Sequence, residues 1–245
     1  MAPKTYEMKT IIYSLLLLSI LVSCRREPKN ETQKDSSLII GNQLSVGIDD
    51  ILIFPVGTGY NTTLNEGDVY KNLGFIENTS TFRDRWASKE YINERENDFD
   101  IRNILFYNLM SHESAQLTSD TVHILSFAIH REFDKPLIFY RTVKKDFNDD
   151  KKYNSSDPVM LYASNINGDS LVQITPTDES FSDYSYYPKT KVIIIKTIID
   201  SDGNKEFSMK DETNFLEMNV TKPAFGREIF SKELKASLRK QINIK

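Results

Sequence analysis

The chain carries two twelve-residue acidic segments that share one internal pattern. The first runs from Asp146 to Asp157 (DFNDDKKYNSSD) and the second, 54 residues later, from Asp200 to Asp211 (DSDGNKEFSMKD). In both, oxygen-bearing side chains occupy positions 1, 3, 5, 9 and 12, and an aromatic residue occupies position 8. β-Branched and aromatic runs flank each segment, which is typical of a loop between strands. One strand–loop–strand unit is therefore predicted to occur at least twice.

Short apolar runs separated by turn residues fill most of the chain after residue 38. The clearest of these runs are Ile51–Phe54, Ile104–Tyr107, Val122–Ile129, Leu137–Val143, Val159–Tyr162 and Val192–Ile199. Helical periodicity is nearly absent before the C-terminus, so the pattern predicts a mainly β fold. The runs Ile104–Tyr107 and Val159–Tyr162 are each followed by a turn and then by the ending Gln-Leu-Thr or Gln-Ile-Thr. This order predicts antiparallel meander repeats with a short C-terminal helix.

The repeat unit resembles the TolB-like β-propeller repeat between Asn103 and Val220. The segment Tyr187–Lys191 stands where that repeat has Ser-Pro-Asp-Gly-Lys, and Leu117-Thr118 and Ile174-Thr175 stand where it has Leu-Thr. The resemblance implies that each unit is a propeller blade. Residues 40 to 228 hold only three or four units of 54 residues, whereas closed propellers have about 4–8 blades. An incomplete propeller and a sandwich of meanders both remain open.

The ligand pattern of the acidic segments resembles the EF-hand calcium loop, which supplies most of the roughly six to eight oxygens that calcium takes. In the first segment the resemblance assigns ligand roles to Asp146, Asn148, Asp150, Lys152 (main-chain carbonyl), Asn154 and Asp157. In the second it assigns them to Asp200, Asp202, Asn204, Glu206 (main-chain carbonyl), Ser208 and Asp211.

Both segments depart from the EF-hand pattern in the same two ways. Position 6, usually Gly, is Lys151 and Lys205, and position 12, usually Glu, is Asp in both. A non-glycine residue at position 6 costs about 1 kcal/mol, so we expect weak binding, at about 10⁻⁴–10⁻³ M. Strands rather than helices flank the segments, so we expect a structural ion and no sensor switch. The alternative is two solvated hairpin turns, since Asp and Asn favour turns.

The first 23 residues have the features of a lipoprotein signal peptide. Lys4 and Lys9 precede the apolar stretch IIYSLLLLSILVS, which at about 13 residues is shorter than the roughly 20 that span a bilayer. The sequence Leu21-Val22-Ser23-Cys24 resembles the lipobox of bacterial lipoproteins. The resemblance implies cleavage before Cys24 and lipidation of that cysteine. The alternative is an ordinary signal peptide followed by a stray cysteine.

A lipidated Cys24 would place the protein in the bacterial cell envelope. Two or three acyl chains, such as palmitate, anchor a protein stably to a membrane. The polar residues 24–38 are predicted to be a flexible tether, residues 39–228 the β-repeat domain, and residues 229–245 a C-terminal helix and tail. No acidic run follows Cys24 directly, which favours the periplasmic face of the outer membrane over surface export.

The segment Gly67–Asp100 interrupts the strand pattern with many charges and the single tryptophan, Trp86. We interpret it as a surface insertion. An envelope hydrolase is the alternative function, and it would depend on the acidic residues Asp84, Glu90, Glu94 and Asp98. The sequence has no HExxH or GxSxG motif and no close histidine pair. We therefore expect a non-catalytic module that binds a protein or a glycan, or an accessory subunit whose partner supplies missing blades.

The C-terminal stretch predicts an amphipathic helix. Phe230, Leu234, Leu238 and Ile242 recur every four residues, and Ser231 is suited to cap the helix start. We expect the apolar side to pack on the β domain, while the basic residues suit solvent or anionic lipid. The net charge of −4 and the lack of a basic stripe argue against nucleic acid as a partner.

Overall fold

The structure is a computed structural model that describes residues 38–47, 50–59 and 99–242. In these residues the chain forms three antiparallel sheets followed by one short helix. The predicted fold class, a mainly β protein of meander repeats with a C-terminal helix, is confirmed, and none of the three sheets is closed. The predicted signal peptide, Cys24, nearly all of the tether and residues 67–98 of the insertion lie outside the described residues.

Each sheet is built from strands that follow one another along the chain. The first contains β1 (Leu38–Ile40), β2 (Leu44–Ser45), β3 (Ile51–Gly59), β4 (Phe99–Asn108) and β5 (Ser114–Gln116). The second contains β6 (His123–His130), β7 (Leu137–Val143), β8 (Met160–Asn165) and β9 (Val172–Gln173). The third contains β10 (Glu179–Tyr187), β11 (Val192–Ile199), β12 (Glu212–Asn219) and β13 (Arg227–Glu228), and α1 (Lys232–Gln241) ends the fold.

The strands pair in chain order in the second and third sheets. The first sheet has the order β1-β3-β4-β5, with β2 also paired to β3. The register of β3 and β4 shifts between Val56 and Gly57. The strand continues to Gly59 through this irregularity, although it contains Gly57 and Gly59. A bulge lets the strand accommodate the glycines without ending the ladder.

One main-chain hydrogen bond recurs in all three sheets and marks the repeat. In each sheet, the residue that follows the last strand donates its N–H to a carbonyl of the strand before it. The pairs are Leu117 to Ile104 (2.8 Å), Ile174 to Leu161 (2.8 Å) and Ile229 to Phe215 (3.0 Å). The predicted Leu-Thr and Ile-Thr endings therefore occupy equivalent places, as the repeat in the sequence indicated.

The second sheet is buried on both faces. Ile138 and Tyr140 of β7 belong to the apolar core shared with the first sheet. Leu137 and Phe139 belong to a separate core shared with the third sheet. Successive side chains of a strand point to opposite faces, so a strand covered on both sides must be apolar throughout. This explains why the run Leu137–Val143 is nearly continuous instead of alternating.

The third sheet is covered mainly on one face. Along β11, Ile193, Ile195 and Thr197 are buried, whereas the residues between them are partly exposed. This alternation is the pattern of a sheet with one face toward a core. No helix in the described part of the chain has the length and apolar character needed to cross a membrane.

Gly168 generates a prediction about how the first two sheets fit together. It lies between β8 and β9 with φ +88°, and a Cβ atom there would lie 2.3 Å from Cε2 of the buried Phe106 ring. Gly168→Ala should lower the free energy of unfolding by about 2–4 kcal/mol, because overpacking adds to the cost of a left-handed backbone. Urea unfolding measures this.

Gly203→Ala is the matched control. Gly203 has φ +73° but no atom within 4 Å of its Cβ position, so only the backbone cost applies. An equal loss of stability in the two variants would contradict the contact with Phe106.

Candidate functional site

The two acidic segments occupy equivalent connections in neighbouring sheets. The first acidic loop, Asp146–Asp157, joins β7 to β8, and the second acidic loop, Asp200–Asp211, joins β11 to β12. Each therefore links the second and third strands of its sheet. In the first sheet the same connection, between β3 and β4, is made by residues 60–98, which include most of the predicted insertion. The repeat thus uses one position for all three of its long connections.

The N-terminal halves of the two loops share four hydrogen bonds from main-chain N–H groups to side chains. The side chain at position 1 accepts from the main-chain N–H groups of positions 5 and 6. The side chain at position 3 also accepts from the N–H of position 5, and the side chain at position 5 accepts from the N–H of position 7. In the first loop the acceptors are Asp146, Asn148 and Asp150, and in the second they are Asp200, Asp202 and Asn204. The side-chain oxygens are thereby turned toward the inside of the loop.

The aspartate at position 12 closes each loop. Asp157 accepts from the N–H groups of Phe147 (2.8 Å) and Asn154 (3.0 Å). Asp211 accepts from those of Ser201 (3.2 Å) and Ser208 (2.9 Å). Both aspartates are buried, at 0% and 7% exposure. A buried carboxylate requires such donors, so the network holds this oxygen pair in place.

Hydrogen bonding favours the charged form of Asp211. The main-chain N–H of Ser208 contributes most to lowering the pKa of this carboxyl, and the Ser208 hydroxyl and the Ser201 N–H and hydroxyl add to it. The Ser208 and Ser201 hydroxyls lie 3.0 and 3.2 Å from its oxygens. Asp211 is therefore ionised at neutral pH, as a cation ligand must be.

The lysines at position 6 adopt the backbone conformation for which EF-hand loops use glycine. Lys151 and Lys205 both have φ +63°. The left-handed region is unfavourable for residues with a Cβ atom, and the loop hydrogen bonds enforce it here. At this position the two loops differ from the EF-hand in residue type but not in backbone conformation.

The second loop brings three carboxylates together. One oxygen from each of Asp200, Asp202 and Asp211 lies within 4.8 Å of the other two. Oxygen ligands lie at about 2.3–2.6 Å from calcium, so oxygens this close to one another can share one cation. In the first loop, position 3 is the neutral Asn148, and no comparable trio forms among the described residues there.

The remaining predicted ligand positions line the two loops without joining the trio. Asn154 accepts from the N–H of Ser156 (2.7 Å), and Ser208 accepts from that of Lys210 (3.2 Å). Lys152 and Glu206, assigned through their carbonyls, donate their N–H groups to the side chains at position 5. The second loop therefore has the stronger candidate site for a divalent cation, and the first has the same framework with less charge.

The two loops contact each other, which sequence spacing alone does not show. Lys205 of the second loop donates to Asp149 of the first at 2.5 Å, and the Phe147 and Phe207 ring centroids lie 5.5 Å apart. This hydrogen bond lowers the pKa of Asp149 and raises that of Lys205. Both side chains are exposed, so the pair orients the loops more than it stabilises the fold.

The aromatic residue at position 8 of the first loop packs on a buried histidine. Tyr153 stacks on His123 with centroids 3.9 Å apart and an interplanar angle of 3°. Nε2 of His123 faces the Arg102 guanidinium, which can only donate, and Nδ1 lies 3.2 Å from Asp100. The ring therefore donates through Nδ1 to Asp100. Both ring nitrogens of His123 thus have hydrogen-bond partners.

Comparison with protein-family models, with curated proteins and with solved structures gave no match to this chain. The resemblances to the propeller repeat, the EF-hand loop and the lipobox therefore remain predictions from the sequence.

The left-handed lysines generate a second prediction. Lys151→Gly should raise the free energy of unfolding by about 0.5–1 kcal/mol, because glycine relieves the left-handed strain while costing some unfolded-state entropy. Lys151 is exposed, and its main-chain hydrogen bond to Asp146 is kept. Denaturant unfolding measures the change.

Lys152→Gly is the matched control, because this neighbour is also exposed but lacks a positive φ. It should destabilise the protein slightly. If both substitutions destabilise equally, position 6 carries no strain and the assignment of its conformation is wrong.

Proposed function

We propose that this protein is a lipid-anchored lipoprotein of the bacterial cell envelope whose β-repeat domain is stabilised by calcium and serves as a non-catalytic binding module. The observation that supports the metal is the trio of carboxylates from Asp200, Asp202 and Asp211. The location rests on the sequence around Cys24, and the binding role on the absence of recognisable catalytic motifs.

The chemistry of the donor set favours a hard cation. All the donors in the trio are carboxylate oxygens, which suit magnesium, calcium and manganese rather than the softer transition metals. The site is part of a twelve-residue surface loop, and calcium accepts the irregular geometry and longer distances that such a loop provides. Magnesium requires a near-ideal octahedron and gives up its waters reluctantly. Calcium is therefore the proposed ion.

The proposed ion would stabilise the folded state by binding to it preferentially. Three carboxylates within 4.8 Å repel one another, and a divalent cation removes that repulsion. The stabilisation follows mass action, so calcium at about ten times its dissociation constant adds about 1.4 kcal/mol. The loop hydrogen bonds hold the side chains of Asp200 and Asp202 that would bind the ion.

Exchanging the residues at position 3 tests the calcium site. Millimolar calcium should raise the melting temperature and show saturable binding by calorimetry. Asp202→Asn gives the second loop the position 3 residue of the first and should weaken binding by about tenfold or more. Asn148→Asp gives the first loop the acidic ligand of the second and should strengthen binding there.

Asp178→Asn is the control for these variants, since it removes an exposed charge outside both loops. It should leave the calcium response unchanged. A melting curve that is the same with calcium and with chelator would contradict the proposal, as would an equal response to magnesium at equal concentration.

The lipid anchor has its own test. When the full chain is expressed in a bacterium with lipoprotein processing, mass spectrometry should find the mature N-terminus at Cys24 with acyl chains attached. Cys24→Ser should abolish acylation and release the protein from the membrane fraction. Cleavage elsewhere, or a Cys24 without lipid, would contradict the anchor while leaving the calcium site untouched.

The open sheets favour one second candidate, an accessory subunit of a larger envelope complex. Three consecutive four- or five-stranded meanders pack on one another, and none of the three sheets is closed. The outer face of β11 remains partly exposed. A partner that supplies further blades would cover such a face. The acidic residues of the hydrolase alternative, Asp84, Glu90, Glu94 and Asp98, lie outside the described residues.

A further inference from the structure

The C-terminal helix α1 packs on the third sheet with its polar side. Lys235 donates to Asn214 (2.7 Å) and lies 3.5 Å from Glu228, and Arg239 donates through Nε to Glu212 (3.0 Å). Lys235 and Arg239 are four residues apart and so lie on one side of the helix. They are its most buried large side chains, and no residue of the helix is fully buried.

The apolar side of the same helix faces solvent. Leu234 and Leu238 are each 47% exposed, and Phe230 and Ile242, which extend the row by one turn at either end, are 44% and 64% exposed. Phe230 contacts Phe215 at the start of the row, at 6.2 Å between ring centroids. The predicted packing of these residues on the β domain is thus wrong for most of the row. The helix presents a continuous apolar stripe outward.

The charge of this segment differs in sign from that of the whole chain. Residues 227–242 contain five basic and two acidic residues, a net charge of +3, whereas the whole chain carries −4. Arg227, Lys235 and Arg239 are paired with Glu217, Glu228 and Glu212. Lys232 and Lys240 form none of these pairs and are exposed near the two ends of the helix, and Glu233 is exposed as well. Lysine is depleted in protein–protein interfaces. A stripe of Phe, Leu and Ile opposite Lys and Arg is instead typical of helices that lie on a membrane surface.

We propose that α1 is a second membrane contact, which lies in the interface of an anionic bilayer with Phe230, Leu234, Leu238 and Ile242 inserted among the acyl chains. Lys232 and Lys240 would meet the phosphate and glycerol headgroups, and Lys235 and Arg239 would hold the helix to the third sheet. This contact depends on the geometry of α1 alone and does not require lipid on Cys24. It would orient the β domain relative to the bilayer, which a flexible tether cannot do.

A tryptophan placed on the apolar side tests the contact locally. In the full chain with Trp86→Phe, Leu238→Trp provides a single reporter on the helix. Vesicles that contain phosphatidylglycerol with brominated chains should shift its emission to shorter wavelength and quench it. Adding Leu234→Ser should lower vesicle affinity by about tenfold, because an apolar side chain is lost from the buried stripe. High salt should weaken the binding.

Met209→Trp in the same background is the matched control. Met209 is 99% exposed in the second acidic loop, so its substitute should be neither shifted nor quenched, even if residues 1–24 hold the chain on the vesicle. Equal quenching of the two reporters, or none, would overturn the proposal. An emission shift that grows with protein concentration in the absence of vesicles would also overturn the proposal, because it would show that the apolar stripe binds a second copy of the chain. Thermal unfolding checks that each variant is folded, and if Trp86→Phe is not, comparing both reporters with Trp86 retained gives the same readout.

Discussion

The structure depends on one strand that is buried from both sides. In β7, adjacent residues such as Phe139 and Tyr140 point into two different cores, and the exposure of both is close to zero. The Tyr140 hydroxyl is satisfied by Ser164 at 2.7 Å, and burial raises the pKa of this phenol. Because each outer sheet packs on the second through one of these cores, the three meanders form one domain instead of three independent repeats.

The stacking of the sheets also determines how the acidic loops meet. Equivalent connections of adjacent sheets emerge near each other, which brings Lys205 to Asp149 and Phe207 to Phe147. A lysine between two acidic loops reduces their mutual repulsion. Main-chain N–H groups therefore hold the side chains within each loop, and the Lys205–Asp149 pair and the Phe147–Phe207 contact hold the two loops together. The proposed calcium ion would reduce the repulsion between the loops further.

The sequence was sufficient to predict the repeat, the equivalent loops and the Ser231 cap, whose hydroxyl accepts from the N–H of Leu234. It also predicted strands β3, β4, β6, β7, β8 and β11, whereas the polar β10 was not among the predicted runs. These features follow from local periodicity and turn chemistry. The difference between the loops was also visible, since Asn148 replaces the aspartate found at position 202. The contact between the loops and the stacking of Tyr153 on His123 could not be predicted, because they depend on how separate sheets pack.

The exposed stripe on α1 shows what periodicity cannot decide. The spacing of its leucines predicts an amphipathic helix, but the side that packs depends on the surface it meets. That surface contains the buried Glu179, which accepts from Asn214, and the Asn214 carbonyl oxygen accepts in turn from Lys235. Covering this surface with leucine would remove the hydrogen bonds that Lys235 and Arg239 donate to Asn214 and Glu212, which costs more than leaving Leu234 and Leu238 partly exposed. The sheet edge therefore selects the polar side of the helix, and the apolar side is left to face outward.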